Sequence, residues 1–350
     1  MHAAVAALIA QDRPVEAGDW HAFWDRLHDG GLRRGEAVAL LASLSTRMPD
    51  RVTLGALLGS LAERRPRHGE SGAKGSLPHA VNVVGTGGGP PTLNISTAAA
   101  LTAAAMGTRV VKTGSRAYTS SLGSVDLLEG LGIGLTTSYE ETADVLDRCG
   151  IAFAGPFVYP AELCLLARSV LPLDMRKLGR FVNAVGPFLA DMPVGAQVTG
   201  VSDPRLVPGL RDAARHTADR TGRTVWLCTN ERGADELLGF VPNRVRTYEG
   251  GGEDEFTLDP AALGLGAGSL EDLRPVGGDP VDGFLDVLAG RGRPAAEETV
   301  CLNAAALAVA GRLTGDWHAA LGAARAVVRD GAVLALIERL RAGKRAVTRA

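Results

Sequence analysis

Gly85-Thr86-Gly87-Gly88-Gly89 follows a short apolar run, Ala80 to Val84, and precedes Asn94-Ile95-Ser96-Thr97 at the head of an alanine-rich stretch. Glycines let a backbone close on a phosphate and adopt positive φ. Asn94, Ser96 and Thr97 stand where an N-cap would, offering hydroxyls and backbone N–H groups at the positive end of a helix. The guest these residues suit is a phosphate or pyrophosphate. Taken alone, the glycine cluster reads equally well as a tight turn. A second loop shifts the balance: Lys112-Thr113-Gly114-Ser115-Arg116 leaves the next strand, and Thr119-Ser120-Ser121-Leu122-Gly123-Ser124 opens the next helix. Two anion-binding loops at successive strand-to-helix junctions suit the two phosphate groups of one ligand. Neither is a Walker loop or a dinucleotide fingerprint, because no GK[ST] and no GxGxxG with a suitably spaced acidic residue is present.

These loops need a scaffold of alternating strands and helices. Ala80–Val84, Thr108–Lys112, the stretch IAFAG after Cys149 and Arg223–Thr229 read as strands, while Ser96–Met106, Ser124–Leu131 and Glu141–Cys149 read as helices. The expected fold class is therefore α/β, with a central, mostly parallel sheet flanked by helices. Before it, apolar residues recur at helical spacing from Val15 to about Arg65, predicting several short helices that include Trp20, Phe23 and Trp24. Arg64 to Pro78, rich in Arg, Pro, Gly and Ser, reads as a linker. The expected organisation is a small helical domain over 1–70, with a helical contribution near 155–185, and an α/β domain over 78–350. Gly251 to Pro260 reads as an irregular excursion.

The chain has 350 residues, is 46% hydrophobic and 22% charged, and has a formal net charge of -2, an ordinary composition for a globular enzyme. Without a clustered basic surface it lacks the footprint of a nucleic-acid or anionic-lipid binder. No stretch is apolar for long enough to span a membrane, and the N-terminus lacks the features of a signal peptide, so a cytoplasmic location is expected. Cys149, Cys164, Cys228 and Cys301 form no metal or disulfide spacing and are expected to be buried thiols.

GTGGGPPTLNIST, KTGSR, SSLGSVDLLEGLGI and GADELLGFVPNRV together resemble the anthranilate phosphoribosyltransferase family, which is more distantly related to pyrimidine nucleoside phosphorylases. NAVGP from Asn183, GVSDP from Gly200, GGDP and LNAAA extend the likeness along the chain. The resemblance implies that Gly85, Thr86, Gly87, Gly88, Asn94, Ser96, Thr97, Lys112, Ser120, Ser121 and Ser124 bind phosphoribosyl pyrophosphate. It further implies that Asp235 and Glu236, with Ser96, hold Mg²⁺, an assignment compatible with the ion's preference for carboxylate, water and phosphate oxygens. The implied reaction transfers the phosphoribosyl group to a small acceptor by positioning and leaving-group stabilisation, without a covalent intermediate or a protein base. A homodimer through the helical domain is also implied, with Trp20, Phe23 and Trp24 either serving it or forming core.

Several positions depart from the family pattern. KHGN is replaced by Lys112-Thr113-Gly114-Ser115, HHPAM by Val158-Tyr159-Pro160-Ala161-Glu162, and the aspartate of GTGGD by Gly89. The acceptor is then expected to meet Thr113, Ser115, Tyr159, Glu162 and Arg168, with Arg176 or Arg180 as lesser candidates. Loss of the histidines and gain of Glu162 point to a cationic or polyhydroxylated acceptor, such as an amino sugar or aminocyclitol of antibiotic biosynthesis. Anthranilate as acceptor, and a nucleoside phosphorylase, remain the alternatives.

Overall fold

The computed structural model describes residues 1–64, 77–114, 123–173, 175–275 and 278–347, of which only the backbone is described at 175–176 and 344–347. The expected linker falls largely outside them, although Leu77 and Pro78 already belong to the first strand.

Seven strands form one sheet in the order β3-β2-β1-β4-β5-β6-β7. They are β1 (Leu77–Gly85), β2 (Arg109–Lys112), β3 (Ile151–Phe153), β4 (Val194–Gly200), β5 (Thr224–Asn230), β6 (Asn243–Glu249) and β7 (Gly252–Leu258). The first five in spatial order run parallel, and β6 and β7 are antiparallel. The segment expected to be irregular from Gly251 is thus a hairpin strand. Its Glu253, Asp254 and Glu255 are exposed on the sheet edge, so no apolar alternation betrays it, and Arg244 on β6 pairs with Glu255 at 3.2 Å.

One face of the sheet is covered by α5 (Ile95–Ala105), α13 (Pro294–Ala310), α14 (Trp317–Arg329) and α15 (Ala332–Val347). The small residues of α5 and α13 let these two helices approach closely, and both are buried over most of their length. Around them lie α6 (Ser124–Gly130), α7 (Tyr139–Cys149) and α12 (Pro280–Leu288).

A second core joins α1 (Ala3–Ala10), α2 (Ala17–His28), α3 (Arg34–Thr46) and α4 (Arg51–Glu63) to later helices. These are α8 (Ala161–Ser169), α9 (Met175–Leu178), α10 (Arg180–Leu189) and α11 (Val207–Thr221). Trp20 and Trp24 stack with centroids 5.8 Å apart, Phe23 meets Trp24 edge-on at 5.1 Å, and all three are at most 1% exposed. Trp20 Nε1 donates to the Thr53 carbonyl and Trp24 Nε1 to Ser60 Oγ. These aromatics are therefore core, with no face left for a second subunit. Cys228 and Cys301 are buried as expected, whereas Cys149 is half-buried and Cys164 is exposed.

Candidate active site

Gly85, Lys112, Gly200 and Asn230 end four adjacent parallel strands, β1, β2, β4 and β5. A cavity of about 480 Å³, lined by Gly85 and Lys112 among others, lies at this carboxyl edge of the sheet, where open α/β folds place their ligands. The Gly85–Thr92 loop, Asn94, Ser96, Lys112, Ser124, Asp235 and Glu236 line its sheet side. Tyr159, Leu163, Ala167, Val182 and Asn183 line its helical side.

Asn94 adopts φ 62°, a left-handed conformation that asparagine tolerates better than most residues. Its carbonyl accepts from Thr97 N and Ala98 N, which starts α5 and places Ser96 beside Lys112. Lys112 Nζ, buried at the end of β2, donates to Ser96 Oγ at 3.2 Å and to the Val83 carbonyl at 3.4 Å. Burial lowers its pKa to about 8 against the opposing pull of Glu236 and Asp235. Because the charged form is lost as pH rises through about 8, KM for a pyrophosphate-bearing substrate is expected to climb above that pH. Lys112→Met is expected to raise KM and remove this rise; initial rates between pH 7 and 9.5 check it.

The carboxylate pair is locked by asparagines. Asn230 Nδ2 donates to the carbonyls of Ala234 and Glu236, and Asn303 Oδ1 accepts from Leu237 N while its Nδ2 donates to Leu237 O. Asn243 holds Leu238 from both sides in the same way. Asp235 Oδ2 accepts from Gly87 N at 2.9 Å, and Glu236 Oε1 from Thr92 Oγ1 at 3.3 Å. Glu236 Oε2 is buried with no partner among the described residues. Burial pushes the Asp235 carboxyl up. Burial and then the Asp235 charge push the Glu236 carboxyl well above its ordinary range. Two half-buried, desolvated acids with an orphaned oxygen suit a divalent cation, which supplies the missing partner and neutralises the pair. No group of three acidic, histidine or cysteine side chains surrounds the site among the described residues. A Mg²⁺ ion that takes its other ligands from water and phosphate needs none.

Most of the expected residues meet here: Gly85, Thr86, Gly87, Gly88, Asn94, Ser96, Lys112, Thr113, Ser124, Tyr159, Asp235 and Glu236 all line the cavity. Ser115, Ser120 and Ser121 lie outside the described residues. Thr97 does not line it, because the helix turns its side chain inward, where its buried Oγ1 has no partner among the described residues. Arg168 is exposed, off the cavity wall, since only Leu163, Cys164 and Ala167 of α8 face inward. Arg180 instead pairs with Asp203, and the side chain of Arg176 is not described.

Glu162 is the main correction. It is 5% exposed and turned away from the cavity, accepting from His28 Nε2 at 3.0 Å and Arg64 Nε at 3.1 Å. Burial alone would raise its pKa; the hydrogen bonds from His28, then its own backbone N–H, then Arg64 outweigh that and hold it below the ordinary range. It clamps α8 to α2 and α4. Glu162→Ala is expected to cost about 1–2 kcal/mol, discounted for partial solvent screening. The loss should shrink as pH falls below the ordinary carboxylate range toward the lowered folded value, where the wild-type side chain also becomes neutral. Urea unfolding at pH 7 and pH 3.5 checks both statements.

Other site residues carry weaker signals. Asn82, a polar residue within the apolar AVNVV run, is fully buried and accepts from Thr113 N at 3.1 Å, which fixes the strand exit. Ser202, in GVSDP, donates to Gly87 O at 2.6 Å. Tyr159 is pushed up by burial, with the Thr113 hydroxyl opposing.

Fold and cavity describe an enzyme that binds a phosphorylated substrate at the carboxyl ends of parallel strands. The model of the "Glycosyl transferase family, a/b domain" matches residues 77–334. Anthranilate phosphoribosyltransferase of Methylobacterium nodulans is 33% identical over 321 residues, covering 91% of each chain. Its Arthrobacter counterpart is 36% identical over 269 residues, covering 74% of each. The crystal structure of the Thermus thermophilus anthranilate phosphoribosyltransferase superposes with a TM-score of 0.75 at 29% identity, over 99% of this chain and 100% of that one. The Saccharomyces cerevisiae enzyme in complex with PRPP and Mg, 19% identical, shares the fold with a TM-score of 0.76 over 98% and 97% of the two chains. The chain belongs to the anthranilate phosphoribosyltransferase family and is a phosphoribosyltransferase.

Proposed function

We propose that this enzyme transfers the 5-phosphoribosyl group of phosphoribosyl pyrophosphate (PRPP) to an aromatic amine, with anthranilate as first candidate, using Mg²⁺ and working in the cytoplasm. The observation that carries this reading is the joint cavity. One wall has glycine-loop N–H groups, a buried lysine and two half-buried carboxylates; the other is largely apolar, from Tyr159, Leu163, Ala167 and Val182. An aromatic ring suits the apolar wall, and Asn183 Nδ2, buried without a partner among the described residues, is a donor for an acceptor oxygen. The amine-bearing polyol loses its support with Glu162, which faces the helical domain.

Asp235, Glu236 and Ser96 would hold Mg²⁺, which supplies charge neutralisation to the departing pyrophosphate. Lys112 and the loop amides orient the pyrophosphate and stabilise its growing charge as the bond from the anomeric carbon to its oxygen breaks. The acceptor nitrogen attacks that carbon from the opposite side and releases its proton to solvent. The products are the N-phosphoribosyl amine and pyrophosphate.

Pyrophosphate release is to be measured with PRPP, Mg²⁺ and anthranilate, then with aminocyclitols and amino sugars. Release with anthranilate is expected. Release only with a polyol amine overturns the acceptor, and silence throughout, combined with phosphorolysis of a nucleoside, overturns the reaction.

A further inference from the structure

Arg223 lies just before β5, at the end of the sheet opposite the catalytic cavity. It is 5% exposed, and its described partners are neutral: Gln197 Oε1 at 3.0 Å and Thr221 Oγ1 at 3.0 Å. No carboxylate pairs with it among the described residues. A buried guanidinium without a counter-anion is costly, which is why such groups are found paired or holding an anionic ligand. Burial and then the charge of neighbouring Arg220 depress its pKa to about 10.

A small cavity opens on this cation, and a larger one adjoins it through His216 and Arg220. The inner one, about 20 Å³, is lined by Arg223, Arg220, Thr221 and His216 and admits a single water-sized group, such as one oxygen of an anion. The outer one, about 300 Å³, shares His216 and Arg220 with it and adds Arg51 and Arg215, together with Asp212 and Asp219. Arg215 is already engaged by Glu253. His216 Nε2, on the wall common to both, is buried and has no hydrogen-bond partner among the described residues. Asp191 also lines the inner cavity and has an interaction of its own.

We propose that Arg223, Arg220 and His216 form a second anion site, remote from catalysis, that takes a phosphate group whose parent molecule occupies the outer cavity. The phosphate oxygens accept from the guanidinium groups and, with the ring proton on Nε2, from His216, giving partners to the buried cation and to the orphaned ring nitrogen together. Asp212 and Asp219 then face the hydroxyls of the parent molecule, which favours a polyhydroxylated phosphate monoester over a hydrophobic one. This site does not depend on the identity of the acceptor.

His216 is a local reporter, because no histidine lines the catalytic cavity among the described residues. Its imidazole titration is to be followed by NMR in the full chain, assigned with His216→Gln, while inorganic phosphate and separately glycerol 1-phosphate are added. A saturable upward shift of the His216 titration is expected. It should persist in Lys112→Met, where binding in the catalytic cavity is weakened, and fall at least tenfold in affinity in Arg223→Gln. Arg220→Gln, at an exposed position that tolerates change, provides the same test should Arg223→Gln not fold. Tighter binding of the ester than of phosphate assigns the outer cavity to its body, and equal affinity assigns the site to free phosphate alone, overturning that part. A His216 titration unmoved by either ligand, or moved equally in both arginine variants, overturns the site.

Discussion

Glu236→Gln and Asp235→Asn are each expected to lower kcat/KM for PRPP by about 100- to 1,000-fold, the range seen when a group stabilising developing charge is removed from a closed site. The same substitutions should not destabilise the ligand-free protein. Both carboxyls are desolvated and their pKa values raised, that of Glu236 well above the ordinary range. A carboxyl with a raised folded pKa binds its proton more tightly in the native state. Native stability therefore falls as pH climbs from the ordinary carboxylate range through the raised value, and the full penalty is present above it. Glu236→Gln removes that penalty and should flatten the decline. Mg²⁺ with pyrophosphate should raise the Tm of the wild type at pH 8 and leave the variant nearly unchanged. Calorimetric scans across pH 4 to 9, with and without those ligands, read all three results; a variant less stable than wild type at pH 8 without ligand would falsify the account.

Gly200→Ala should be nearly as damaging by a different route. A Cβ at this position would lie 1.7 Å from the Asp235 carbonyl oxygen and 2.3 Å from its carbonyl carbon. Gly200 ends β4, which is paired on both sides by β1 and β5, so it cannot yield. The Asp235 backbone must move instead, and with it the carboxylate pair held by Asn230 and Asn303. A loss of about 1–3 kcal/mol from overpacking is expected, with kcat reduced by up to about 100-fold from misplacement of the pair. Gly85→Ala meets the Asp235 carboxylate at 2.1 Å, a side chain rather than backbone, and should spare stability more than activity. Gly59→Ala on α4, with nothing within 4 Å of its added Cβ, is the control and should be neutral or slightly stabilising. Urea midpoints and kcat for the three variants decide; equal behaviour of Gly200→Ala and Gly59→Ala would sink the packing argument.

The sheet side of the cavity was legible along the chain because its residues are local in sequence. Glycine loop, helix start and strand-end lysine each occupy a short segment whose backbone requirements dictate residue type. Sequence by itself therefore determined the α/β class and the glycine loop, helix start and strand-end lysine that line the cavity, while Asp235 and Glu236 were singled out by the family resemblance. It did not determine which way α8 turns. Glu162 and Leu163 are neighbours in the chain, yet one is drawn to His28 and Arg64 and the other faces the cavity. That choice rests on contacts with α2 and α4, about a hundred residues or more away. The edge strand β7 was hidden for a related reason, since an exposed edge needs charge rather than apolar alternation. Trp20, Phe23 and Trp24 had the composition of an interface as much as of a core, and only the packing of α8 to α11 over α1 to α4 settled the matter. Local backbone chemistry is written in adjacent residues. Side-chain direction is decided by whichever distant partner most lowers the free energy of burial, and only the tertiary structure supplies that partner.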